Sequence, residues 1–237
     1  EAQKQRYLLP LIKGEMLGAW GLTEAGSGSD AGAMRTTAVR DGEDWVINGS
    51  KQFITHASVG GVLVAMAVTD KTKGTKGISA FVIPKGTPGM RPGRKENKLG
   101  MRASDTAEVI FENCRVGADA LVGVEGQGFV NTLQVLDAGR IGIAALSVGL
   151  AQGAYDAALA YAKQRRQFGQ PIATFQAIRW KLADLYTKIE ATRLLTYRAA
   201  VMKDQGAPRT SLESSMAKLY ASEIAVRAGP IPNAHPV

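Results

Sequence analysis

The sequence predicts an α+β protein whose strands and helices are segregated along the chain. Three observations predict it. From about Leu22 to Val124, short runs rich in Val, Ile and Phe recur, separated by Gly, Lys, Thr and Pro, the composition of turns. From about Gly126 the apolar residues instead recur every three and four positions, a helical period. Apolar residues make up 45% of the 237, enough to bury a sizeable core. Several short strands at this spacing fit a barrel or a sandwich and not a series of βαβ units.

Each element follows in order. "EAQKQRYLLPLI" reads as a helix entered part-way. With Glu1 in first place instead of Met, the chain is expected to be a piece of a longer protein, trimmed in front. "DWVINGSKQFI" sets Asn48-Gly49 between two strand-like runs, and Asp41-Gly42 is a similar turn upstream. Both pairs tolerate the positive φ of a type I′ turn, so each predicts a hairpin. "GVLVAMAV", "ISAFVIPK" and "AEVIFENCRV" are further strands. "GRIGIAALSVGLAQGAYDAALAYA" is apolar nearly all round, which predicts a helix buried on most sides. Gly139, Gly142 and Gly149 weaken that helix, and close helix packing is the expected compensation. After Gly169-Gln170-Pro171, an amphipathic stripe runs through Phe175, Ile178, Leu182, Leu185, Ile189, Thr192, Leu195, Ala199 and Met202. A third helix opens at Thr210, with Glu213 completing a capping box, and runs to about Ala228. "GPIPNAHPV" then stops it.

Composition narrows the function. The net charge is +8 and the pI near 9.6, but Lys and Arg are scattered, with modest clusters at "GMRPGRKENK" and "AKQRRQ". Nucleic acid is not the expected partner, because its footprint would be one basic face. A solvated surface plus a pocket for a small anion accounts for the charge. Cys114 is the only cysteine, which excludes disulfides within the chain and suits a reducing compartment. With only His56 and His235, no metal site is expected. No apolar run approaches the length of a bilayer crossing and no basic-then-apolar leader opens the chain, so no membrane span is expected.

"GSGSDA" (residues 26–31) fits the pattern G-x-G-x-x-A. A dinucleotide fingerprint must leave a strand and open a helix, whereas "AMRTTAVRDG" turns β-like within a few residues. No Gly-Lys-Ser/Thr follows, so this is not a P-loop. What is left is a glycine-and-hydroxyl loop inside a β region. It is either a flexible surface loop or one that offers N–H groups and hydroxyls to a phosphate.

Four blocks, "GAWGLTEAGSGSDAGAMRTTA", "WVINGSKQFIT", "LDAGRIGIAA" and "RRQFGQPIATFQAIRWKLADL", fall in the order and spacing of the acyl-CoA dehydrogenase family. The chain resembles that family from residue 1 to about 228. The resemblance implies an antiparallel β-barrel middle domain followed by an antiparallel helical bundle. Residues 1–17 would be the tail of a largely absent N-terminal helical domain. Residues 18–125 would be the barrel, and 126–237 a truncated C-terminal helical domain. It further implies FAD, an acyl-CoA substrate, α,β-dehydrogenation to the trans-2-enoyl-CoA, and electrons leaving to electron-transfer flavoprotein. The setting would be fatty acid β-oxidation, in a homo-oligomer (a dimer of dimers) of the bacterial cytoplasm or mitochondrial matrix.

The resemblance carries residue by residue. Main-chain groups near Trp20 and Leu22 and the Thr23 hydroxyl would lie along the flavin. Gly28 and Ser29 would approach the pyrophosphate, with Ser29 also facing the substrate. Phe53, Ile54 and Thr55 would flank the isoalloxazine, where the family often has Trp at the Phe53 position. Thr55 would hydrogen-bond near the reactive nitrogen. Asp137 and Arg140, three apart on a helix face, would meet the acyl-CoA, although an i,i+3 ion pair is the plainer reading of that spacing. Arg165, Gln167, Phe168, Phe175 and Gln176 would hold the adenosine and diphosphate half of FAD from a neighbouring subunit.

The chain also departs from the family pattern. The base that takes the α-proton is in most members a glutamate beyond a later glycine-rich block, and "PIPNAHPV" does not resemble that block. The alternative position for the base is held by Gly139. No catalytic residue is therefore assigned, and Glu24 is read as structural. Two other readings stand beside the dehydrogenase. One is a flavin oxidase or monooxygenase of the same fold, and the other is a non-catalytic flavin- or CoA-binding fragment.

Overall fold

The computed structural model describes residues 1–229, so the "PIPNAHPV" segment lies outside the described residues. The chain divides into two compact units, Glu1–Thr132 and Leu133–Val237.

The first unit opens with a π-helical turn, Lys4–Leu8, that continues into α1 (Leu9–Ile12). Its strands are β1 (Gly18–Gly21), β2 (Thr37–Asp41), β3 (Asp44–Thr55), β4 (Val62–Val68), β5 (Ile78–Pro84), β6 (Met90–Lys95) and β7 (Thr106–Val116). They form one sheet in the order β1-β4-β2-β3-β7-β6, with β5 also paired to β4. The sheet is mixed, which corrects the antiparallel barrel: β1 and β2 both pair with β4 in parallel. Parallel neighbours need a long crossover, and the segment between Gly21 and Val62 supplies it. The core alternates inward from these strands. It gathers Trp45, Ile47, Phe81, Ile83, Val109 and Phe111, with Trp45 edge-on to Phe81 at 5.2 Å.

The hairpin expectation is half right. Asp41 pairs with Asp44, so Gly42 (φ 66°) lies in the turn between β2 and β3. Asn48-Gly49 is not a turn. β3 runs straight through it with a register shift against β7 between Ile47 and Gly49. The bulge uses the conformational freedom that marks a turn. Gly49 has φ 140°, a Cβ there would meet Thr36 Oγ1 at 2.6 Å, and Asn48 Oδ1 accepts from the N–H of Asn113, itself at φ 50°.

Three helices carry the rest: α2 (Gly128–Gln164), α3 (Gln176–Asp204) and α4 (Ser211–Ala228). A two-residue hairpin joins α2 to α3, with β8 (Arg166–Gln167) paired to β9 (Gln170–Pro171). Leu182, Leu185, Ile189, Thr192 and Ala199 are buried on α3, as the stripe predicts. Alanines let the second unit's helices close on one another, in clusters such as Ala144, Ala199, Ala217 and Ala221.

Four expectations fail here. α2 is not buried on most sides, since Ile143, Leu146 and Leu150 are exposed. Its glycines do not mark close packing among the described residues, because a Cβ at Gly139, Gly142 or Gly149 would meet none of them within 4 Å. α2 is also long and apolar enough, by length and composition, to cross a membrane. The capping box is not made, since Thr210 stands at the N-cap without a side-chain bond and Glu213 lies 3.8 Å from Arg198 instead.

Candidate functional site

The loop after β1 is built around one buried ion pair. Lys51 on β3 is wholly buried, and its Nζ donates to Glu24 Oε1 at 2.8 Å and to the Leu22 carbonyl at 3.2 Å. Glu24 also accepts from the backbone N–H of Arg35 (2.6 Å) and Thr36 (3.0 Å), so one carboxylate ties both ends of the loop to the strand. Burial opposes the charge on Glu24, but the bonds from Lys51, Thr36 and Arg35 outweigh it and hold the carboxyl below its ordinary range. Burial likewise pulls Lys51 below the usual lysine range, partly offset by Glu24. Between these anchors, Glu24 and Ser27 exchange backbone bonds of 2.9 and 3.1 Å around Ala25-Gly26. Gly28 and Ser29 are left exposed at the tip.

Beside the loop, the end of β3 is bent outward. A second register shift falls between Lys51 and Ile54, with Phe53 at φ 59°. The bulge turns the Phe53 ring to solvent, 63% exposed, while Ile54 stays in the core and the Thr55 side chain faces out. Gln52 N–H donates to the Thr23 carbonyl at 2.8 Å, which seats Thr23 next to Phe53's strand. His56 Nδ1 lies 3.0 Å from the Gly18 carbonyl, and because a carbonyl only accepts, Nδ1 carries the proton. Asp105 accepts from the Ser58 hydroxyl and N–H at 2.6 and 2.9 Å. The Ser58 hydroxyl, against some opposing desolvation, and the Ser58 N–H with Lys95 hold its carboxyl at about 2. β1, the loop and the end of β3 are thus one braced frame. The structure brings together Trp20, Leu22, Thr23, Phe53, Ile54 and Thr55, with Gly28 and Ser29 on the same loop.

In the second unit Asp137 and Arg140 form the i,i+3 ion pair, and Asp137 also accepts from Ser211 Oγ at the start of α4. The remaining predicted residues form an exposed ledge. Phe168 (φ 51°) and Gly169 (φ 77°) make the β8–β9 turn, and Phe168 is 92% exposed. Phe175 packs edge-on to it at 6.0 Å, with Arg165, Gln167 and Gln176 exposed around them. An aromatic held in the left-handed region with its ring in solvent is unexplained by the fold's own packing.

Residues 19–114 match the family model described as acyl-CoA dehydrogenase, middle domain, and residues 126–230 the one described as acyl-CoA dehydrogenase, C-terminal domain. The chain belongs to the acyl-CoA dehydrogenase family. A short-chain specific acyl-CoA dehydrogenase of Clostridium acetobutylicum is 50% identical over 226 residues, covering 95% of this chain and 59% of that protein. Butyryl-CoA dehydrogenase from Megasphaera elsdenii superposes with a TM-score of 0.95 at 42% identity, over 99% of this chain and 62% of that one. A structure reported with the electron transferring flavoprotein of Acidaminococcus fermentans gives 0.96 at 47%, over 99% and 62%. The chain therefore spans about six-tenths of the length of these relatives.

Acyl-CoA dehydrogenases are FAD-dependent flavoprotein oxidoreductases, and the residues present fit that cofactor. Trp20 Nε1 is buried without a partner among the described residues. The N–H groups of Leu22 and Thr23 have no acceptor among the described residues. Orphaned donors of this kind call for a ligand or ordered water. Sequence reasoning missed Lys51. The available signal was parity, since Lys51 falls in the same alternation as the buried Trp45 and Ile47.

Proposed function

We propose that the protein is an FAD-dependent acyl-CoA dehydrogenase acting on short-chain acyl-CoA thioesters. The observation that carries the reading is the braced loop, with its unpartnered donors set beside the outward bulge of β3. Leu22, Thr23 and the Trp20 indole would meet the polar edge of the ring, and Phe53, Ile54 and Thr55 would flank it. Neither φ nor any neighbour demands glycine at Gly26 or Gly28, and close approach of a pyrophosphate accounts for both. Ser29 would meet pyrophosphate and substrate. Phe168 and Phe175 would stack an adenine, with Arg165 on the diphosphate and Gln167 and Gln176 beside it. Asp137 and Arg140 would exchange part of their ion pair for the acyl-CoA.

A bound FAD supplies the acceptor for a hydride from the substrate's β-carbon. The chain's part is to hold the ring, exclude water from it and orient the thioester. No carboxylate among residues 1–229 is assigned the α-proton. Glu24 is committed to three donors, and Gly139 has no side chain. The short-chain choice follows the names of the relatives at 42–50% identity. Electron-transfer flavoprotein is proposed as oxidant, and a dimer of dimers as the assembly. The exposed stripe of α2 supports the assembly: Gly139, Gly142, Ile143, Leu146, Gly149, Leu150 and Gly153 recur at helical spacing on one face. Domain limits of 18–125 and 126–237, and a bacterial cytoplasmic or mitochondrial matrix setting, belong to the same reading.

The test is optical. Purified protein should be yellow, and butyryl-CoA should shift the flavin's visible spectrum; bleaching needs an α-proton base that residues 1–229 do not supply. Yellow protein whose spectrum no acyl-CoA perturbs would remove the acyl-CoA reading in favour of a monooxygenase or a binding module for flavin alone.

A further inference from the structure

The buried ion pair lies in no assigned part of the chemistry, yet it fixes the Leu22–Thr23 peptide, whose carbonyl and N–H face opposite sides of the loop. Lys51 Nζ holds the Leu22 carbonyl at 3.2 Å, on the inner side of the loop. In a planar trans peptide the following N–H points opposite to that carbonyl. The Thr23 N–H is therefore turned away from Lys51, and it has no acceptor among the described residues. Two further contacts hold this arrangement. Gln52 N–H fixes the Thr23 carbonyl at 2.8 Å, so the next peptide cannot rotate freely. The Lys51 stem supports the end of β1, where a Cβ on Gly21 would lie 3.3 Å from Lys51 Cγ. Glu24 sets the ammonium in turn, since it is bound at 2.8 Å and itself pinned by Arg35 and Thr36.

We propose that Lys51 and Glu24 are positioning residues for the flavin: by drawing the Leu22 carbonyl inward, they aim the Thr23 N–H outward as a fixed donor to the ring. The inference rests on the flavin reading given above. A donor held this way needs no reorganisation when the ring binds or gains charge, so it favours the reduced, more electron-rich state. A salt bridge serving stability alone would have no effect on the ring's properties.

The experiment removes the pair as a unit, because Lys51→Met alone strands a buried carboxylate. In the double variant Glu24→Gln/Lys51→Met both charges go, and the one amide oxygen of the glutamine keeps a single backbone donor, Arg35 or Thr36, of the two that the carboxylate oxygens hold. Folding is checked by circular dichroism, FAD affinity by flavin fluorescence titration of apoprotein, and the flavin by its visible spectrum and midpoint potential. The expected result is a folded protein with FAD bound at least tenfold more weakly and a more negative potential. A folded double variant with wild-type affinity, spectrum and potential overturns the proposal. A measurement on wild-type protein stands in should the variant not fold. With ¹⁵N-threonine labelling, the Thr23 amide should shift on FAD addition, and a Thr23 amide that does not respond while FAD binds overturns the proposal as well. Wild-type protein that takes up no FAD overturns the flavin reading itself, and this inference with it.

Discussion

The β unit and the helical unit handle their apolar residues in opposite ways. In the β unit the large side chains turn inward: Trp45, Phe81 and Phe111 are almost wholly buried, and even a lysine is enclosed with its carboxylate. In the helical unit α2 keeps alanines inside and sets Ile143, Leu146 and Leu150 outside. The first pattern is a core complete within the chain, and the second is a surface that suits a partner. Apolar content therefore does not say where burial will occur, because a helix clothed in apolar residues has the same composition whether its neighbour lies inside or outside the chain.

Four substitutions sharpen that comparison, in falling order of effect. Phe81→Ala should cost about 3–5 kcal/mol in denaturant unfolding of the β unit, because a fully buried ring leaves a cavity. A loss under about 1 kcal/mol would show that this core collapses freely. Gly49→Ala should cost about 2–3 kcal/mol, since its φ of 140° and the Thr36 backbone at 2.7 Å leave no room for a Cβ. A neutral result would mean the bulge can be remodelled.

Asp105→Asn should cost about 1–2 kcal/mol at neutral pH by weakening the bonds from Ser58. Its sign with pH follows from a carboxyl held at about 2, below the ordinary 3.8. The stabilisation is full above about pH 4 and fades as pH falls towards 2, so the variant and wild type should converge in acid melts. A gap that stays constant down to pH 2 would assign the effect to packing instead.

The smallest effect has the opposite sign. Gly142→Ala on exposed α2 should raise helix stability by about 0.5–1 kcal/mol, because the added methyl meets nothing among the described residues. If the same change lowers the assembled mass in sedimentation, the stripe packs closely against another copy. An unchanged mass at every concentration would leave the glycines without that role.

Much of this was legible in the sequence. The strand-then-helix order, the α3 stripe and the composition of the Trp20–Gly32 loop all come from local periodicity and turn chemistry. The parallel pairing of β1 with β4 was not legible, since strand direction depends on where a distant segment returns. Asn48-Gly49 misled for a physical reason: positive φ serves a bulge as well as a turn, and only the partner strand decides between them. The loop's hydroxyls and glycines announced a ligand, but the Lys51–Glu24 brace beneath it joins residues 27 apart and shows only once β3 lies beside the loop. The Phe168 turn shows the same limit, because its exposed ring is informative only when the left-handed backbone beneath it is known.

The central claim is that the braced loop and the bulged end of β3 hold a flavin. The most direct measurement is the FAD content of the purified protein, by absorbance before and after denaturation, with FAD supplied during refolding where the protein is isolated colourless. The account predicts about one FAD per chain, with FAD affinity weakened several-fold by Phe53→Ala, as the ring flanked by that strand loses an aromatic contact of about 1 kcal/mol. A folded protein that stays colourless in the presence of FAD would contradict it.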